Sequence, residues 1–281
     1  MQKHILYIIS FAVILISGSC KEISPEYRLV RPQEGARNVL IEEFTGVQCV
    51  NCPQGTDEII NLQGLYGKNL ISVAVHAGFF AQAPYSDSKY NFLTQPGQAI
   101  ENWIGAPLGY PAAVVNRTRF EGENSYQLGR QKWAAYIGEL VQSSPLVEVV
   151  ANTNFNPSTR GLEISVSVEA LADIQQDIRI NVMITEDNII DPQANTAAPG
   201  GRTTDYNHRH VLRAMLTNFD GNFLTANMKF GDVLTNDFKF KLPPEDGWWD
   251  AKNVHVVAFV TDASSNTPGE VLNATEVSII K

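Results

Sequence analysis

Apolar runs alternate with segments of helical spacing over the first half of the chain. Residues 38–45 begin with an apolar run and residues 69–76 are rich in β-branched side chains, so both predict buried strands. Strands that alternate with helices in this way predict a βαβ arrangement around a central sheet. The predicted strands are residues 38–45, 69–76 and 109–116, and the predicted helical segments are residues 52–66, 90–104 and 125–141.

From Pro145 onward, apolar residues alternate with polar ones instead. Leu162, Ile164, Val166 and Val168 show this two-residue period, which is typical of strands that turn one face toward a core. About seven such segments, with no helical stretch between them, predict an antiparallel sandwich of immunoglobulin-like type. The predicted strands are residues 146–150, 162–168, 178–184, 208–216, 233–242, 254–261 and 271–280.

One segment of the second half lacks this alternation. Residues 189–204 contain Pro192, Pro199, Gly200 and Gly201, and the sequence predicts a long irregular connection there. Connections of this length are often functional or mobile.

The N-terminal residues 1–20 have the pattern of an export signal. A short basic start precedes an apolar run too short to span a bilayer, and small residues then end on Cys20. This ending resembles a bacterial lipobox, which implies a lipid anchor on Cys20 and a tether at residues 21–36. The alternative is an ordinary secretory signal in which Cys20 occurs by chance. Either interpretation predicts an oxidising compartment, where disulfides persist.

Composition and charge exclude several classes of partner. The chain has 281 residues, of which 44% are hydrophobic and 18% are charged, as expected for a globular protein. The formal net charge of −9 argues against binding to nucleic acid or to an anionic membrane surface. The sequence also gives no reason to expect a cofactor.

Cys49 and Cys52 are the candidate chemistry of this chain, because they lie between the first predicted strand and the first predicted helix. The N–H groups and the dipole of a helix N-terminus stabilise a thiolate, and cysteines one turn apart can close a disulfide. We therefore predict a thiol–disulfide exchange site, with Cys49 as the exposed attacking sulfur and Cys52 as the buried resolving sulfur.

Two other interpretations of this pair stay open. The first is a structural disulfide, although a loop with two intervening residues constrains the unfolded chain very little. The second is a zinc site completed by His208 and His210, which share one face of a predicted strand.

The Cys-x-x-Cys-Pro after a strand, with Tyr110-Pro111 opening a later strand, resembles the thioredoxin superfamily. The resemblance implies that Pro111 is a cis-proline facing the disulfide and that Tyr110 aligns the partner chain. It also implies that Glu43 is the buried proton acceptor for the resolving thiol. Gln48 stands where thioredoxins carry tryptophan, and Val50-Asn51 replaces Gly-Pro, so the direction of electron flow does not follow from the resemblance.

Glu42 and Glu43 are neighbours on the first predicted strand. Side chains alternate between the faces of a strand, so we expect only one of the two carboxylates to point inward. The resemblance favours Glu43, and the alternative is a solvated strand end paired with a lysine. For Pro111 the alternative is an ordinary trans-proline at the start of a strand.

The whole chain is similar to the outer membrane protein 28-related lipoproteins of Bacteroidetes. The similarity rests on residues 42–46, the cysteine motif, Val115-Asn116-Arg117 and residues 207–213. It implies an α/β thioredoxin-like domain followed by an all-β immunoglobulin-like sandwich. The corresponding division is a signal at 1–20, a tether at 21–36, a thioredoxin-like domain at 37–143 and a sandwich at 144–281.

Two functions follow from these expectations. The first is a thiol–disulfide oxidoreductase, tethered to the outer membrane through Cys20, that acts on the thiols and disulfides of exported proteins. The second is a non-enzymatic outer-membrane or surface lipoprotein that binds an envelope or host partner and carries a structural disulfide.

Overall fold

The computed structural model describes residue 32 and residues 35–82, 85–244, 249–263 and 268–280. The predicted export signal with Cys20 and nearly all of the predicted tether lie outside these residues. The lipid anchor therefore stays a prediction.

The first half contains the alternating strands and helices that the sequence predicts. Its elements are β1 (Val39–Thr45), α1 (Cys52–Tyr66), β2 (Leu70–His76), α2 (Gln95–Ile104), β3 (Ala112–Val115), β4 (Leu128–Gly129) and α3 (Trp133–Leu140). β1 and β2 pair in parallel with α1 as their crossover, and β3 pairs antiparallel with the other side of β1. α3 begins later than predicted because Leu128 and Gly129 pair with β3 as an edge strand.

The second half consists almost entirely of strands. They are β5 (Val147–Asn156), β6 (Gly161–Ala170), β7 (Ile178–Glu186), β8 (Ile189–Ala194), β9 (Arg202–His208), β10 (Val211–Met215), β11 (Asn222–Thr225), β12 (Val233–Lys241), β13 (Val254–Asp262) and β14 (Val271–Ser278). Each predicted strand of this half is confirmed. The fold as a whole is rich in strands and has few helices.

The prediction of a long irregular connection at residues 189–204 is wrong. β8 and β9 pair antiparallel and form a hairpin over this segment. Gly200 and Gly201 have φ values of +72° and +75°, a backbone conformation that glycine adopts without steric penalty. These two glycines allow the chain to turn back, and Pro192 coincides with an irregularity in the β8 register.

Strands from both halves form one sheet. Among the described residues, the largest sheet has nine strands in the order β14-β13-β7-β10-β2-β1-β3-β4, with β11 paired to β7. The halves meet where Val211 of β10 pairs with Ala74 of β2. A separate three-stranded sheet has the order β12-β6-β5. The domain boundary at residue 143 stays a prediction and falls between α3 and β5.

β1 is buried on both faces because the sheet is covered on each side, and all seven of its residues are buried. One face, with Val39 and Ile41, packs against α1 and α3. The opposite face, with Leu40 and Phe44, packs against α2 and against apolar residues of β13 and β14. A further core lies between the three-stranded sheet and one face of β7 and β13.

The expectation that only one of Glu42 and Glu43 points inward is wrong, because both faces of β1 are interior. Glu42 accepts two hydrogen bonds of 2.8 Å from the guanidinium of Arg117. The side chains of this ion pair are almost fully shielded from solvent. The guanidinium also lies over the rings of Trp103 and Phe259, at 5.3 and 4.9 Å from their centroids. The pair therefore links β1 to the second half.

Polar contacts bring β14 back against the start of the first half. The Asn116 side-chain amide accepts from the N–H of Leu40 at 2.8 Å and donates to the carbonyl of Val271 at 3.2 Å. Arg37 donates to the same carbonyl and pairs with Glu270 at 2.7 Å. These contacts satisfy buried polar groups across the two halves, so neither half presents this surface to solvent.

Replacement of Arg117 with methionine is expected to lower the free energy of unfolding by ~3–5 kcal/mol, because the carboxylate of Glu42 stays buried without its partner. Urea denaturation measures this change. A double variant, Glu42→Leu with Arg117→Met, removes both charges and should recover most of the loss.

The exposed ion pair of Lys132 and Glu123 supplies the control. Lys132→Met should leave the urea midpoint nearly unchanged, since solvent screens such pairs. A wild-type midpoint for Arg117→Met would show that the buried pair does not stabilise the fold.

Candidate functional site

The predicted cysteine pair forms a disulfide at the N-terminal end of α1. Cys52 is the first residue of the helix, and Pro53 follows it in the first turn. Both cysteines are buried, with 2% of Cys49 and 1% of Cys52 exposed. The expectation of a solvent-exposed Cys49 is therefore wrong, because residues of the second half lie over it. Val50, between the two cysteines, is 42% exposed.

The hairpin of β8 and β9 covers the loop that carries the disulfide. The Gln193 side-chain amide donates to the carbonyls of Gly46 and Cys49 at 3.1 and 3.0 Å. The N–H of Ala194 donates to the carbonyl of Val47 at 2.8 Å. The N–H of Thr196 donates to the carbonyl of Val50 at 3.0 Å. The carbonyl groups of the loop that carries the disulfide thus accept hydrogen bonds from the hairpin at four positions, Gly46, Val47, Cys49 and Val50.

The outer part of the same hairpin is held by charged side chains. The Asp191 carboxylate accepts from the backbone N–H of Lys89 at 2.9 Å. Arg202 pairs with Asp87 and stacks over the ring of Tyr85, 4.1 Å from its centroid. The pair with Asp87 is partly exposed, so solvent weakens this attachment more than the hydrogen bonds over the disulfide.

Glu43 lies behind the disulfide on the face of β1 that meets α1. Gly55 of α1 makes room for it, because a Cβ at Gly55 would lie 2.6 Å from Glu43 Oε1 and 2.7 Å from Pro111 Cβ. Glu43 Oε1 has no hydrogen-bond partner among the described residues. Burial raises the pKa of the Glu43 carboxyl to about 8, against a smaller lowering effect of Thr56. A carboxyl with this pKa exchanges protons near neutral pH.

Thr56 and Tyr206 extend the surroundings of Glu43. The Thr56 hydroxyl lies 3.4 Å from Glu43 Oε2 and 3.4 Å from the Cys52 carbonyl oxygen. Tyr206 of β9 comes from the second half and interacts with Thr56. Burial raises the pKa of the Tyr206 phenol to about 12. Cys52, Thr56 and Tyr206 line one small cavity of about 10 Å³.

Pro111 and Tyr110 lie on the other side of Gly55. The Tyr110–Pro111 peptide bond is cis, as the resemblance to thioredoxins implies, and Pro111 contacts α1 at Gly55. The Tyr110 hydroxyl donates to the buried carboxylate of Glu101. Burial raises the pKa of Tyr110 well above its usual range, and the bond to Glu101 raises it further. A groove of about 710 Å³ runs past Tyr110 and Pro111.

Two buried histidines, His76 and His208, also line the small cavity. His76 and His208 have ring centroids 5.7 Å apart, and Phe92 packs against both rings. Burial lowers the pKa of His76 to about 3 and that of His208 to about 4, so both are neutral at physiological pH.

His210 does not join His208 beside the cysteines, because its side chain faces Asp187 at 3.4 Å. Over the described parts of the chain, no group of three or more histidine, cysteine or acidic residues is arranged to hold a metal ion. The zinc interpretation therefore has no geometric support.

Sequence reasoning missed the contributions of Gln193, Thr196, Thr56 and Tyr206. For Gln193 and Thr196, the sequence feature that indicates a hairpin is the Gly200-Gly201 turn, which the β-forming residues of β9 follow. Pro192 obscured that signal, because proline within a run argues against a strand. The sequence gives no sign that Tyr206 reaches α1, since 150 positions separate it from Thr56.

Residues 98–281 match the family model of outer membrane protein Omp28. The match covers more than half of the chain, and the chain therefore belongs to the Omp28 family. This membership confirms the family that the sequence similarity predicts. No curated protein was found to be similar to the chain in sequence.

Several solved structures are similar to this one. HBP35 of Porphyromonas gingivalis has a TM-score of 0.64 and 23% identity, over 88% of this chain and 76% of that chain. A protein of Agrobacterium tumefaciens has a TM-score of 0.54 and 11% identity, over 88% of this chain and 96% of that chain. A domain of the outer membrane lipoprotein Omp28 from Porphyromonas gingivalis matches 48% of this chain and 88% of its own length, with 18% identity and a TM-score of 0.33. The first two share their overall fold with this chain.

None of the helices in the described residues is long and apolar enough to span a membrane.

Replacement of Gly55 with alanine is expected to lower the free energy of unfolding by ~1–3 kcal/mol, because the new methyl group overlaps Glu43 and Pro111. Gly64 on the same helix has no atom within 4 Å of the corresponding position. Gly64→Ala should therefore raise the free energy of unfolding, by roughly 0.4–1 kcal/mol. Urea denaturation of both variants tests the packing behind the disulfide, and equal effects would contradict it.

Glu43→Gln is expected to flatten the dependence of stability on pH. The pKa of Glu43 rises from an ordinary 4.5 to about 8 in the folded protein, so the folded state holds this proton more tightly. The resulting stability is complete below the unfolded pKa and is lost as the pH rises through the folded pKa. Relative to the variant, the wild type should lose stability between about pH 4.5 and pH 8.

Urea denaturation of the oxidised proteins at several pH values measures this difference. Glu186 and Glu276, whose pKa values burial raises to about 7, are present in both proteins and cancel in the comparison. Glu121→Gln, at an exposed position, is the control and should follow the wild type. A difference between wild type and Glu43→Gln that does not change with pH would refute the raised pKa.

Proposed function

We propose that this member of the Omp28 family catalyses thiol–disulfide exchange on exported proteins. The observation that carries the proposal is the position of a buried carboxyl, Glu43, one side chain away from a disulfide at a helix N-terminus. The carboxyl lies against Gly55, and Pro111 contacts the same glycine. A structural disulfide that closes a loop of two intervening residues needs no such carboxyl, because it stabilises the fold without any proton transfer.

The reaction that this geometry supports has two steps. In the reduced protein, the Cys49 thiolate attacks a disulfide of the partner, forms a mixed disulfide and releases one partner thiolate. Glu43 then takes the proton of Cys52, whose thiolate attacks the Cys49 sulfur and releases the second partner thiolate. The partner gains two electrons, and the Cys49–Cys52 disulfide forms again. The reverse sequence oxidises a dithiol partner.

A protein partner reaches Cys49 only if the hairpin of β8 and β9 moves. The hydrogen bonds of Gln193 and Thr196 to the disulfide loop must open first, and local openings of this kind cost less than global unfolding. The groove beside Tyr110 and Pro111 is the surface along which the partner chain would align.

Several finer features belong to the same proposal. We propose that residues 37–143 correspond to a thioredoxin-like unit and residues 144–281 to an immunoglobulin-like sandwich. A lipid on Cys20 would tether the protein to the outer membrane. The family membership supports the outer-membrane location, and the parallel β1-α1-β2 unit with its cis-proline supports the thioredoxin-like unit.

Reduction of insulin by dithiothreitol tests the exchange activity. The wild type should accelerate the reaction, and Cys49→Ser should abolish the acceleration because the attacking sulfur is gone. Cys52→Ser should accumulate a mixed disulfide through Cys49, since no resolving thiol remains. Non-reducing electrophoresis detects that species.

The matched control is Ser72→Ala, since Ser72 is a buried residue of β2 that does not line the cavity behind Cys52. It should keep the wild-type rate. Equal rates for the wild type and Cys49→Ser would refute the exchange function.

One observation favours the second candidate, a partner-binding lipoprotein with a structural disulfide. Cys49 is covered by the hairpin as well as being buried. On this candidate, the midpoint potential of the pair would lie below that of cellular reductants, and the Cys49 thiol would have the pKa of a free cysteine. Titration against glutathione and a pH series of alkylation rates separate the two candidates.

A further inference from the structure

The proposed reaction requires a route by which the Glu43 carboxyl exchanges its proton with solvent, because this carboxyl is buried. A carboxyl that accepts the proton of Cys52 must later release it, and an enclosed group needs a chain of hydrogen-bonding atoms to do so. One of its oxygens, Oε1, has no partner among the described residues. The other, Oε2, faces the Thr56 hydroxyl at 3.4 Å. Thr56 is therefore the side chain from which such a chain can begin.

A threonine hydroxyl can both donate and accept a hydrogen bond, which suits it to this position. When Glu43 is ionised, the Thr56 hydroxyl can donate to it. When Glu43 is protonated, the same hydroxyl can accept from it and donate elsewhere. Its other neighbours are the Cys52 carbonyl, which only accepts, and the Tyr206 hydroxyl. Tyr206 is the neighbour that can continue a chain of proton transfers.

Tyr206 also has the necessary position between interior and solvent. It lines the small cavity with Cys52 and Thr56, and it is only partly buried. The volume of this cavity, about 10 Å³, is close to the smallest that holds one water molecule. The strand that carries Tyr206 belongs to the hairpin that covers the disulfide.

We propose that Thr56 and Tyr206 relay the proton of Glu43 to solvent, and that Tyr206 is a positioning residue contributed to the redox site by the second half of the chain. In each transfer the proton moves from the Glu43 carboxyl to the Thr56 oxygen while the Thr56 proton moves to Tyr206. The Tyr206 phenol passes its own proton to water, and no charge stays on either hydroxyl. The inference rests on the exchange activity proposed above.

Other charged or titratable groups surround this relay and could influence its pH dependence. The carboxylate of Asp57 on α1 raises the pKa of Glu43 and of Tyr206, and Arg209, which directly follows β9, lowers that of Tyr206. His76 and His208 face the same cavity but are neutral above about pH 4. The pKa of Glu43, about 8, lies between pH 6 and pH 9, whereas those of His76, His208 and Tyr206 lie outside this range.

The test compares the pH profile of insulin reduction for variants that keep the shape of each side chain. Thr56→Val and Tyr206→Phe should each slow turnover on the order of tenfold at neutral pH, since a positioned proton-transfer group contributes at least that much. Thr56→Val should also move the profile to higher pH, because the ionised Glu43 loses its hydrogen bond. Thr56→Ser, which keeps the hydroxyl, should restore the wild-type profile.

Tyr66→Phe is the matched control. Tyr66 is the last residue of α1, and it packs in the core that α1 and α3 form with β1, away from the small cavity. It should leave rate and profile unchanged. A second measurement follows the Glu43 carboxyl by carbon NMR in the oxidised proteins, where no exchange reaction occurs. Thr56→Val should raise this pKa, and Thr56→Ser should not.

The outcomes separate the relay from the activity on which it rests. An active wild type with unchanged profiles for Thr56→Val and Tyr206→Phe would overturn the relay and leave the exchange function standing. A wild type that does not reduce insulin would overturn both. Slowed variants with a shifted profile and rescue by Thr56→Ser would support both.

Discussion

The enclosure of β1 on both faces is the constraint on which the rest of the structure depends. Two carboxylates at consecutive positions point to opposite sides of this strand, and neither reaches solvent. Burial of a charge is costly unless a partner compensates it. Glu42 has that partner in Arg117, whereas Glu43 has only the Thr56 hydroxyl and keeps its proton to an unusually high pH. One strand thus supplies a buried ion pair that joins the two halves and a buried acid that faces Gly55 and Thr56 of α1, the helix that begins at Cys52.

The two halves depend on each other for the same reason. The sheet runs from one half into the other, and the core on the Glu42 side contains residues from both. The motif residues Asn116 and Arg117, which suggested the family, act here as buried contacts to β14 and β1. Arg213 of the second motif pairs with Glu186 and lies 4.0 Å from the Trp249 ring centroid. These motif side chains therefore hold the fold together, and the site is assembled from the loops and strands that they position.

The hairpin of β8 and β9 determines the surroundings of the disulfide. It covers Cys49 through polar contacts from Gln193 and Thr196, and it brings Tyr206 to the back of the same site. In the proposed relay, the hairpin that covers Cys49 therefore also carries a side chain that transfers protons. Polar contacts and a small apolar cluster of Ile189 with Val47, Phe92 and Val211 hold the hairpin in place. This cluster is separate from the apolar cores on either side of β1, so local opening of the hairpin need not disturb those cores.

The sequence by itself determined most of the strands and helices, the cysteine pair at the start of α1 and the family, because periodicity and short motifs are local properties of a chain. It did not determine the hairpin of β8 and β9 or the edge strand β4. It also pointed to Glu43, Pro111 and Tyr110, through the resemblance of the motif. The tertiary structure decided what covers these residues. Alternation along β1 predicted one buried carboxylate, but both Glu42 and Glu43 are buried because both faces of the strand are covered. The position of Cys49 at a helix end predicted an exposed sulfur, but a hairpin that is distant in sequence buries this residue. Burial depends on which remote segments pack over a residue, and local pattern does not encode that packing.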